Sequence, residues 1–151
     1  MRRKDREQPR EFALSVIDQS DYAVLAAVDE TGAPYCVPLT LAREGDALYF
    51  HCAPAGFKLD ILRVNPKVCV SFVCEAVTNE QTYSVKYASA IATGTAHIIE
   101  DEAEKLFALR LLCARHAPSN PDGVQAHIDK YFHRTAVVRI YMESLTAKTN
   151  T

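Results

Sequence analysis

The sequence predicts a mainly β fold, an antiparallel β-barrel of six or seven strands with flanking helices packed outside it. Short apolar segments alternate with glycine-containing turns, which join neighbouring strands into hairpins and make them antiparallel. The segment 68–75 has apolar residues on both faces, as expected of a sheet that curls into a barrel. Closing the sheet would also remove the exposed edges that so many hairpins create.

The elements follow one another in a single domain that spans residues 1–151, without repeats or linkers. The predicted strands are 22–28, 34–42, 47–52, 68–75, 80–99 and 136–145. The predicted helices are a first one that ends near residue 20, a second at 57–64, a third that follows Asp101, and a fourth around 124–132.

The third helix has clear local signals. Asp101 and Glu104 are spaced as in an N-terminal capping box, and the proline at 118 follows its predicted end. The apolar residues at helical spacing predict a buried stripe, which consists of Ala103, Leu106, Phe107, Leu109 and Cys113.

Two residues interrupt the predicted strands. Pro38 lies in the middle of the second strand, where it cannot donate a hydrogen bond, so it indicates an edge, a bulge or a place where a group other than a strand approaches. Gly94 lies inside a long strand and indicates a bulge or a close backbone approach.

The composition, with 48% hydrophobic and 24% charged residues, is ordinary for a globular domain. With 17 basic and 19 acidic side chains, the net charge of -2 gives no reason to expect nucleic-acid binding. Acidic residues interrupt the basic ones before residue 12, which favours a solvated leader over a nucleic-acid arm. No apolar run approaches the ~20 residues of a membrane helix. We therefore expect a cytoplasmic protein without nucleic-acid or membrane partners.

The five cysteines are an odd number and form no CxxC pair. Several lie in apolar strand patterns, where a free thiol behaves as a small hydrophobic residue. We expect reduced thiols and no metal site. Cys52 has no recognisable base near it in the sequence, which argues against acyl-transfer chemistry.

Lys58 is placed where helices disfavour a cation. It falls in the first turn of the predicted helix 57–64, directly after a strand and a Pro/Gly turn. A lysine together with the free backbone N–H groups of a helix start can bind a phosphate. The alternative is a surface lysine whose charge is screened by solvent.

Several segments follow one another in an informative order. They are MRRKDRE at 1–7, YFHCAPAGFKL at 49–59, NPKVCVSF at 65–72, YASA at 87–90 and GTA at 94–96. In this order they resemble the pyridoxamine 5′-phosphate oxidase-like FMN-binding split barrels, and most of all the nitroimidazole-resistance (Nim-type) branch. The chain departs from that branch by having Phe57 beside a single lysine, Ala90 in place of Val, and Ala147 before Lys148. The C-terminal substrate residues of the pyridoxamine oxidases are absent.

The resemblance implies an FMN at a homodimer interface, and it places the site residue by residue. The phosphate would be held by His51, Cys52, Ala53 and Lys58. The backbone along the isoalloxazine ring would be that of Val37, Pro38, Leu39 and Thr40. The partner subunit would close the pocket with Tyr87 and Ser89, and Arg3 and Lys4 could reach the phosphate in the dimer.

His51 is the candidate catalytic residue, because the resemblance places it on the substrate side of the flavin. It could protonate a reduced acceptor or bind its anionic group. The alternative is a strand-end histidine bonded to a neighbouring carbonyl. The other histidines, at positions 97, 116, 127 and 133, are interpreted as surface or core residues. Tyr87 could equally be a barrel tyrosine with a satisfied hydroxyl.

The leading functional hypothesis is an FMN-dependent oxidoreductase of the nitroreductase-like type, a homodimer that reduces a small acceptor by two electrons. The first alternative is a flavin- or haem-carrying protein of the same fold without turnover, or a relative of the pyridoxamine-phosphate oxidases with different turnover. The second is a regulator or small-molecule sensor that carries no flavin.

Overall fold

A computed structural model of the chain describes residues 2–150. Within these residues there are eight strands and four α-helices. The strands are β1 (Glu7–Gln8), β2 (Ala23–Val28), β3 (Pro34–Leu39), β4 (Ala42–Glu44), β5 (Ala47–Cys52), β6 (Lys67–Asn79), β7 (Ser84–Ile98) and β8 (Ala136–Asn150). The helices are α1 (Arg10–Gln19), α2 (Phe57–Val64), α3 (Glu102–His116) and α4 (Val124–Tyr131).

All strands belong to one antiparallel sheet with the order β3-β2-β6-β7-β8-β5-β4, and β1 pairs with β8. The predicted mainly β class is therefore confirmed. The sheet is not closed, however, because its hydrogen-bonded path begins at β3 and ends at β4. The predicted strand at 34–42 is divided into β3 and β4, since the chain leaves the ladder between residues 39 and 42.

The predicted strand interruptions are both explained by the sheet. β3 is an edge strand, so the missing N–H of Pro38 costs no bond to a further strand. The register between β7 and β8 shifts between Thr93 and Gly94. Thr93 pairs with Ser144 and Gly94 pairs with Met142, so one residue of β8 between them has no partner. This is the β-bulge predicted at Gly94.

The interior of the sheet holds the main hydrophobic core. Its largest fully buried side chains come from both halves of the sheet and include Phe50 of β5, Phe72 of β6 and Leu25 of β2. α1 packs one apolar stripe into this core, through Ala13, Val16 and Ile17, as the helical spacing predicts. Fully burying a valine, leucine, isoleucine or phenylalanine side chain contributes about 1.5–3 kcal/mol, so this core is a large stabilising contribution.

A second, smaller core lies on the outer face of β5 and β8, under α3 and α4. It contains Tyr49 and Val137 from the strands and Ala108, Leu109 and Ile128 from the helices. The predicted stripe of α3 was wrong at two positions. Ala103 and Phe107 are exposed, and the fully covered face is instead formed by Ala108, Leu109 and Leu112. The predicted cap is confirmed, because Asp101 accepts a hydrogen bond from the Glu104 backbone at 2.7 Å.

Candidate functional site

The alternation of β5 separates two neighbouring candidate residues. Leu48 and Phe50 point into the main core, whereas Tyr49 packs in the second core under α3 and α4. His51 has the same parity as Tyr49, and Cys52 has the parity of Phe50. The strand end therefore presents His51 towards the helices and Cys52 towards the barrel.

His51 opens into a cleft of about 400 Å³ between the end of β5 and helices α3 and α4. We call it the histidine cleft, because His51, His116 and His127 all line it. Thr40, which follows β3, also lines it. The apolar part of its wall is formed by Leu109, Leu112, Ile128 and Phe132.

The pKa of His51 is lowered below the usual histidine value of 6.5. Neighbouring protein atoms remove part of the hydration of the imidazolium, which is the main cause, and the positive charges of His116, His127 and Lys58 add to it. The surroundings of His51 therefore favour the neutral imidazole over the imidazolium. Within residues 2–150 its ring makes no hydrogen bond to another group of the protein.

Two contacts place the end of α3 over the cleft. Arg115 donates hydrogen bonds to the backbone oxygens of Ile17 and Ser20, at 3.1 and 2.7 Å, and so ties α3 to the C-terminal end of α1. His116 Nε2 lies 3.0 Å from the backbone oxygen of Leu41. Because a carbonyl oxygen only accepts, Nε2 is the donor and Nδ1 is not used by this bond.

A second concavity of about 250 Å³ lies on the other side of the β5 end. We call it the lysine corner. It is lined by Tyr35, Cys52, Ala53, Ala55, Gly56, Phe57, Lys58 and Leu59. It therefore combines the strand end, the turn and the first turn of α2, as the sequence predicts.

The lysine corner has a free cation and free backbone donors. No side chain caps the N-terminus of α2, where Gly56 adopts a φ of 136° that favours glycine. Lys58 is half-buried, and its Nζ lies 5.2 Å from the centroid of the buried Phe50 ring. No carboxylate among residues 2–150 lies within ion-pair distance of Lys58. An anion would complete this corner electrostatically.

Three of the thiols are poor nucleophiles. Burial raises the pKa of Cys52 above its usual value, although the nearby charge of Lys58 opposes this. Burial likewise raises the pKa values of Cys69 and Cys74. All five cysteines are free. In the described part of the chain, no group of three or more His, Cys, Asp or Glu side chains is arranged to hold a metal ion.

The predicted ring-binding segment lies along the open edge of the sheet. Val37 and Leu39 pack against the main core, while Pro38 and Thr40 are exposed. Since β3 pairs only with β2 within the described sheet, backbone groups on its outer side are free to meet a ligand.

Tyr87 and Ser89 lie elsewhere on the surface of the chain. Ser89 shares a separate concavity with Lys148, which belongs to neither the histidine cleft nor the lysine corner. The Tyr87 hydroxyl accepts a 3.4 Å hydrogen bond from Arg6, and Lys148 Nζ lies 5.5 Å from its ring centroid. The chain itself therefore does not bring these two residues to the other candidates.

Two of the basic residues near the N-terminus make contacts within the chain. Arg3 is engaged with Asp5 by a forked ion pair, and this hydrogen bond lowers the pKa of Asp5 to about 2. The residue that reaches Tyr87 is Arg6, which was not among the predicted ones.

His116 and His127 are functional candidates that sequence reasoning set aside. Both are exposed, in agreement with the interpretation as surface residues, yet both face the same cleft as His51. The spacing within each helix could not predict that these histidines lie near His51, because the three residues come from three separate elements.

The fold and these sites define a class of protein, the split β-barrels of the pyridoxamine 5′-phosphate oxidase type. Residues 9–149 match the family described as pyridoxamine 5′-phosphate oxidase, and the chain belongs to that family. One curated relative, an uncharacterized protein RA0666 of Rhizobium meliloti (strain 1021), is 40% identical over 76 residues. That match covers 50% of this chain and 48% of the relative, so it spans about half the length of either.

Two solved structures illustrate the similarity. One is a candidate 5-nitroimidazole antibiotic resistance protein from Bacteroides thetaiotaomicron, with a TM-score of 0.75 and 28% identity, covering 93% of this chain and 84% of that one. The other is the flavocytochrome Anf3 from Azotobacter vinelandii, with a TM-score of 0.84 and 22% identity, covering 100% of this chain and 72% of that one. The second similarity shows the fold alone.

No helix in the described residues combines the length and the apolar character that crossing a membrane requires.

Proposed function

We propose that the protein is a cytoplasmic, FMN-dependent oxidoreductase that reduces a small acceptor by two electrons. The observation that carries this proposal is the adjacency of the lysine corner and the histidine cleft. They border the end of β5 from its two faces, where Cys52 lines the first and His51 lines the second. A ligand with a phosphate at one end and a ring at the other would extend from one concavity to the next.

The phosphate end would be held by Lys58, by Ala53 of the turn and by the uncapped N–H groups of α2. This unpaired lysine and the helix dipole both favour a dianion. The ring would lie along the free edge of β3, from Val37 to Thr40, with Thr40 and His51 at the entrance to the cleft.

A bound flavin supplies the hydride of a two-electron reduction. His51 would hold the proton that the acceptor needs in the same step. The ring would take up a proton from solvent and, as the imidazolium, donate it to an oxygen or nitrogen of the acceptor, and its lowered pKa favours release of that proton. The acceptor thus gains a hydride and a proton, and a nicotinamide dinucleotide would restore the reduced flavin.

We further propose that the functional unit is a homodimer. The half-buried Tyr87 and its surroundings would then supply the partner's wall of the flavin site, because they lie apart from Lys58 and His51 within one chain. Arg6 and Lys148 flank Tyr87 and would bring positive charge to that wall. Lys4 and Arg3 remain candidates for contact with the phosphate.

The test begins with the absorbance spectrum of the purified protein, followed by titration with FMN and anaerobic addition of NADPH. We expect flavin bands, a dissociation constant in the micromolar range or below, and bleaching of the flavin on reduction. Sedimentation analysis should give twice the mass of the chain. A colourless protein that does not take up FMN would overturn the proposal, and it would favour a flavin-free regulator or sensor.

A second candidate function is haem carriage, which the histidine cleft favours. It joins an apolar wall with neutral imidazole, and that combination suits haem iron and its macrocycle. Among the similar structures, one is named as a flavocytochrome. Titration with haemin distinguishes the two functions, because ligation by His51 would produce a shifted Soret band that a His51→Ala variant loses.

A further inference from the structure

The histidine cleft contains two imidazoles that the flavin proposal does not use. His116 comes from the end of α3 and His127 from the middle of α4, and both line the same cavity as His51. All three are exposed, so none is needed to fill the core. The His127 ring packs against Tyr131, one turn further along α4, with 4.8 Å between the ring centroids.

The walls of the cleft carry no acidic side chain. Apart from the imidazoles, its ionisable groups are the Cys113 thiol and the Tyr131 hydroxyl. Two lysines pack on the aromatic wall, Lys105 over Phe132 and Lys130 over Tyr131, at 4.4 and 5.2 Å from the ring centroids.

One acidic group on each of the two covering helices has a partner of its own. Glu104 of α3 accepts a 2.6 Å hydrogen bond from Arg139. Asp129 of α4 accepts one of the same length from Gln125. From the side of β5, the charge of Lys58 reaches His51. The charged groups around the cleft therefore make it more attractive to an anion than to a cation.

The rest of the wall is apolar. Leu109, Leu112, Ile128 and Phe132 cover the side that the helices provide. A volume of about 400 Å³ lies within the range of small-molecule sites, which combine an apolar lining with a few directed polar groups.

We infer that the histidine cleft binds the acceptor, and that this acceptor is an aromatic or similarly apolar molecule with a carboxylate or another anionic oxygen group held by His116 and His127. Its role as acceptor rests on the proposed function, whereas the binding itself does not need the flavin. His116 is suited to this task because its Nε2 bonds the Leu41 oxygen, which leaves Nδ1 for the ligand. An imidazolium Nδ1–H would donate to the anionic oxygen.

The experiment is calorimetric titration of the purified full-length chain at pH 6.5 with two nearly isosteric probes, 4-nitrobenzoate and 4-nitrobenzamide. Only the first carries a charge. We expect 4-nitrobenzoate to bind about tenfold more tightly, the size of one charge-assisted hydrogen bond. In the double variant His116→Gln/His127→Gln the preference should fall to about twofold or less.

His97→Gln is the matched control, since His97 is an exposed histidine of β7 that does not line the cleft. It should keep the full preference. Circular dichroism checks that the variants are folded.

Equal affinities, no binding of either probe, or a preference that persists in the double variant would each overturn the inference. So would displacement of 4-nitrobenzoate by stoichiometric haemin. FMN titration of the same samples separates the two proposals. A wild type that fails to bind FMN overturns the proposed function but leaves the carboxylate site intact, whereas loss of the carboxylate preference alone overturns only the inference.

Discussion

A Cβ atom on Gly94 would lie 1.9 Å from the backbone oxygen of Tyr141 on the neighbouring strand. Gly94 is buried at the bulge between β7 and β8, where the strands approach too closely for any side chain. β8 continues from this point to pair with β5, the strand that presents His51. The close approach therefore helps to set the position of the site.

Gly94→Ala should destabilise the protein by at least about 2 kcal/mol, because the added methyl group meets backbone that can move only by breaking the ladder. Urea denaturation measures the change. Gly123→Ala is the control, since its Cβ would meet only the exposed Asn120 side chain at 3.0 Å, and we expect a change within about 0.5 kcal/mol. Equal effects of the two variants would contradict the prediction.

Lys58→Ala should weaken FMN binding by about 1.5–3 kcal/mol, the range of a charge-assisted contact. Flavin fluorescence titration gives the affinity. Lys58→Arg should retain most of it, because the charge is kept. Lys67→Ala removes a lysine that bonds Glu143 outside the lysine corner and should have no effect. An unchanged affinity in Lys58→Ala would exclude the phosphate assignment.

His51→Gln should leave FMN bound and reduce turnover, because it removes the proton donor while keeping a polar side chain of similar size. A loss of about 10²-fold or more is typical of general acid catalysis. Steady-state kinetics with NADPH and a nitroaromatic acceptor gives the rate, and titration gives the FMN affinity. Full activity of this variant would remove His51 from the mechanism.

The lowered pKa of His51 makes the stability of the protein depend on pH in a known direction. The unfolded chain binds this proton more readily than the folded one, so stability decreases as the pH falls through the unfolded value near 6.5. The wild type should therefore lose more stability between pH 8 and pH 5 than His51→Gln, by a small amount because the ring is exposed.

In NMR titrations the pKa of His51 should rise in Lys58→Met, since a neighbouring positive charge is removed. A His51 pKa above 6.5 in the wild type would contradict this.

Glu104 should contribute to holding α3 on the sheet. Its carboxylate accepts hydrogen bonds from Arg139 at 2.6 Å and from the Tyr49 hydroxyl at 3.3 Å. Glu104→Ala should cost about 1–2 kcal/mol of stability, because both bonds are partly buried. Thermal denaturation tests this, with Glu80→Ala, a change in an exposed turn, as the control variant. A loss no larger than that of Glu80→Ala would show that this contact does not stabilise α3.

The local parts of this structure could be predicted from the sequence. The bounds of α2 and of β5 agree with the prediction, since each is delimited by proline, glycine or asparagine beside a regular apolar pattern. The turn from strand to helix that builds the lysine corner is local in the same sense. Lys58 was therefore placed correctly at the start of α2.

The lengths of two strands were underestimated from the sequence. β6 extends to Asn79 and β8 to Asn150, beyond the predicted ends at 75 and 145. The β6 extension is exposed, and the β8 extension is mostly half-buried around the buried Ala147, so neither shows a regular alternation between core and solvent. Their strand character depends on pairing with β7, which the local sequence does not report.

What the sequence determined by itself is the strand alternation, the two interruptions at Pro38 and Gly94, and the cation at the start of α2. The tertiary structure alone decided that the sheet stays open between β3 and β4, and that α3 and α4 cover the face of β5 that carries His51. That packing brings His116 and His127 to His51 from distant parts of the chain. Local periodicity records which face of an element is buried, but the partner of that face depends on how all the elements pack together.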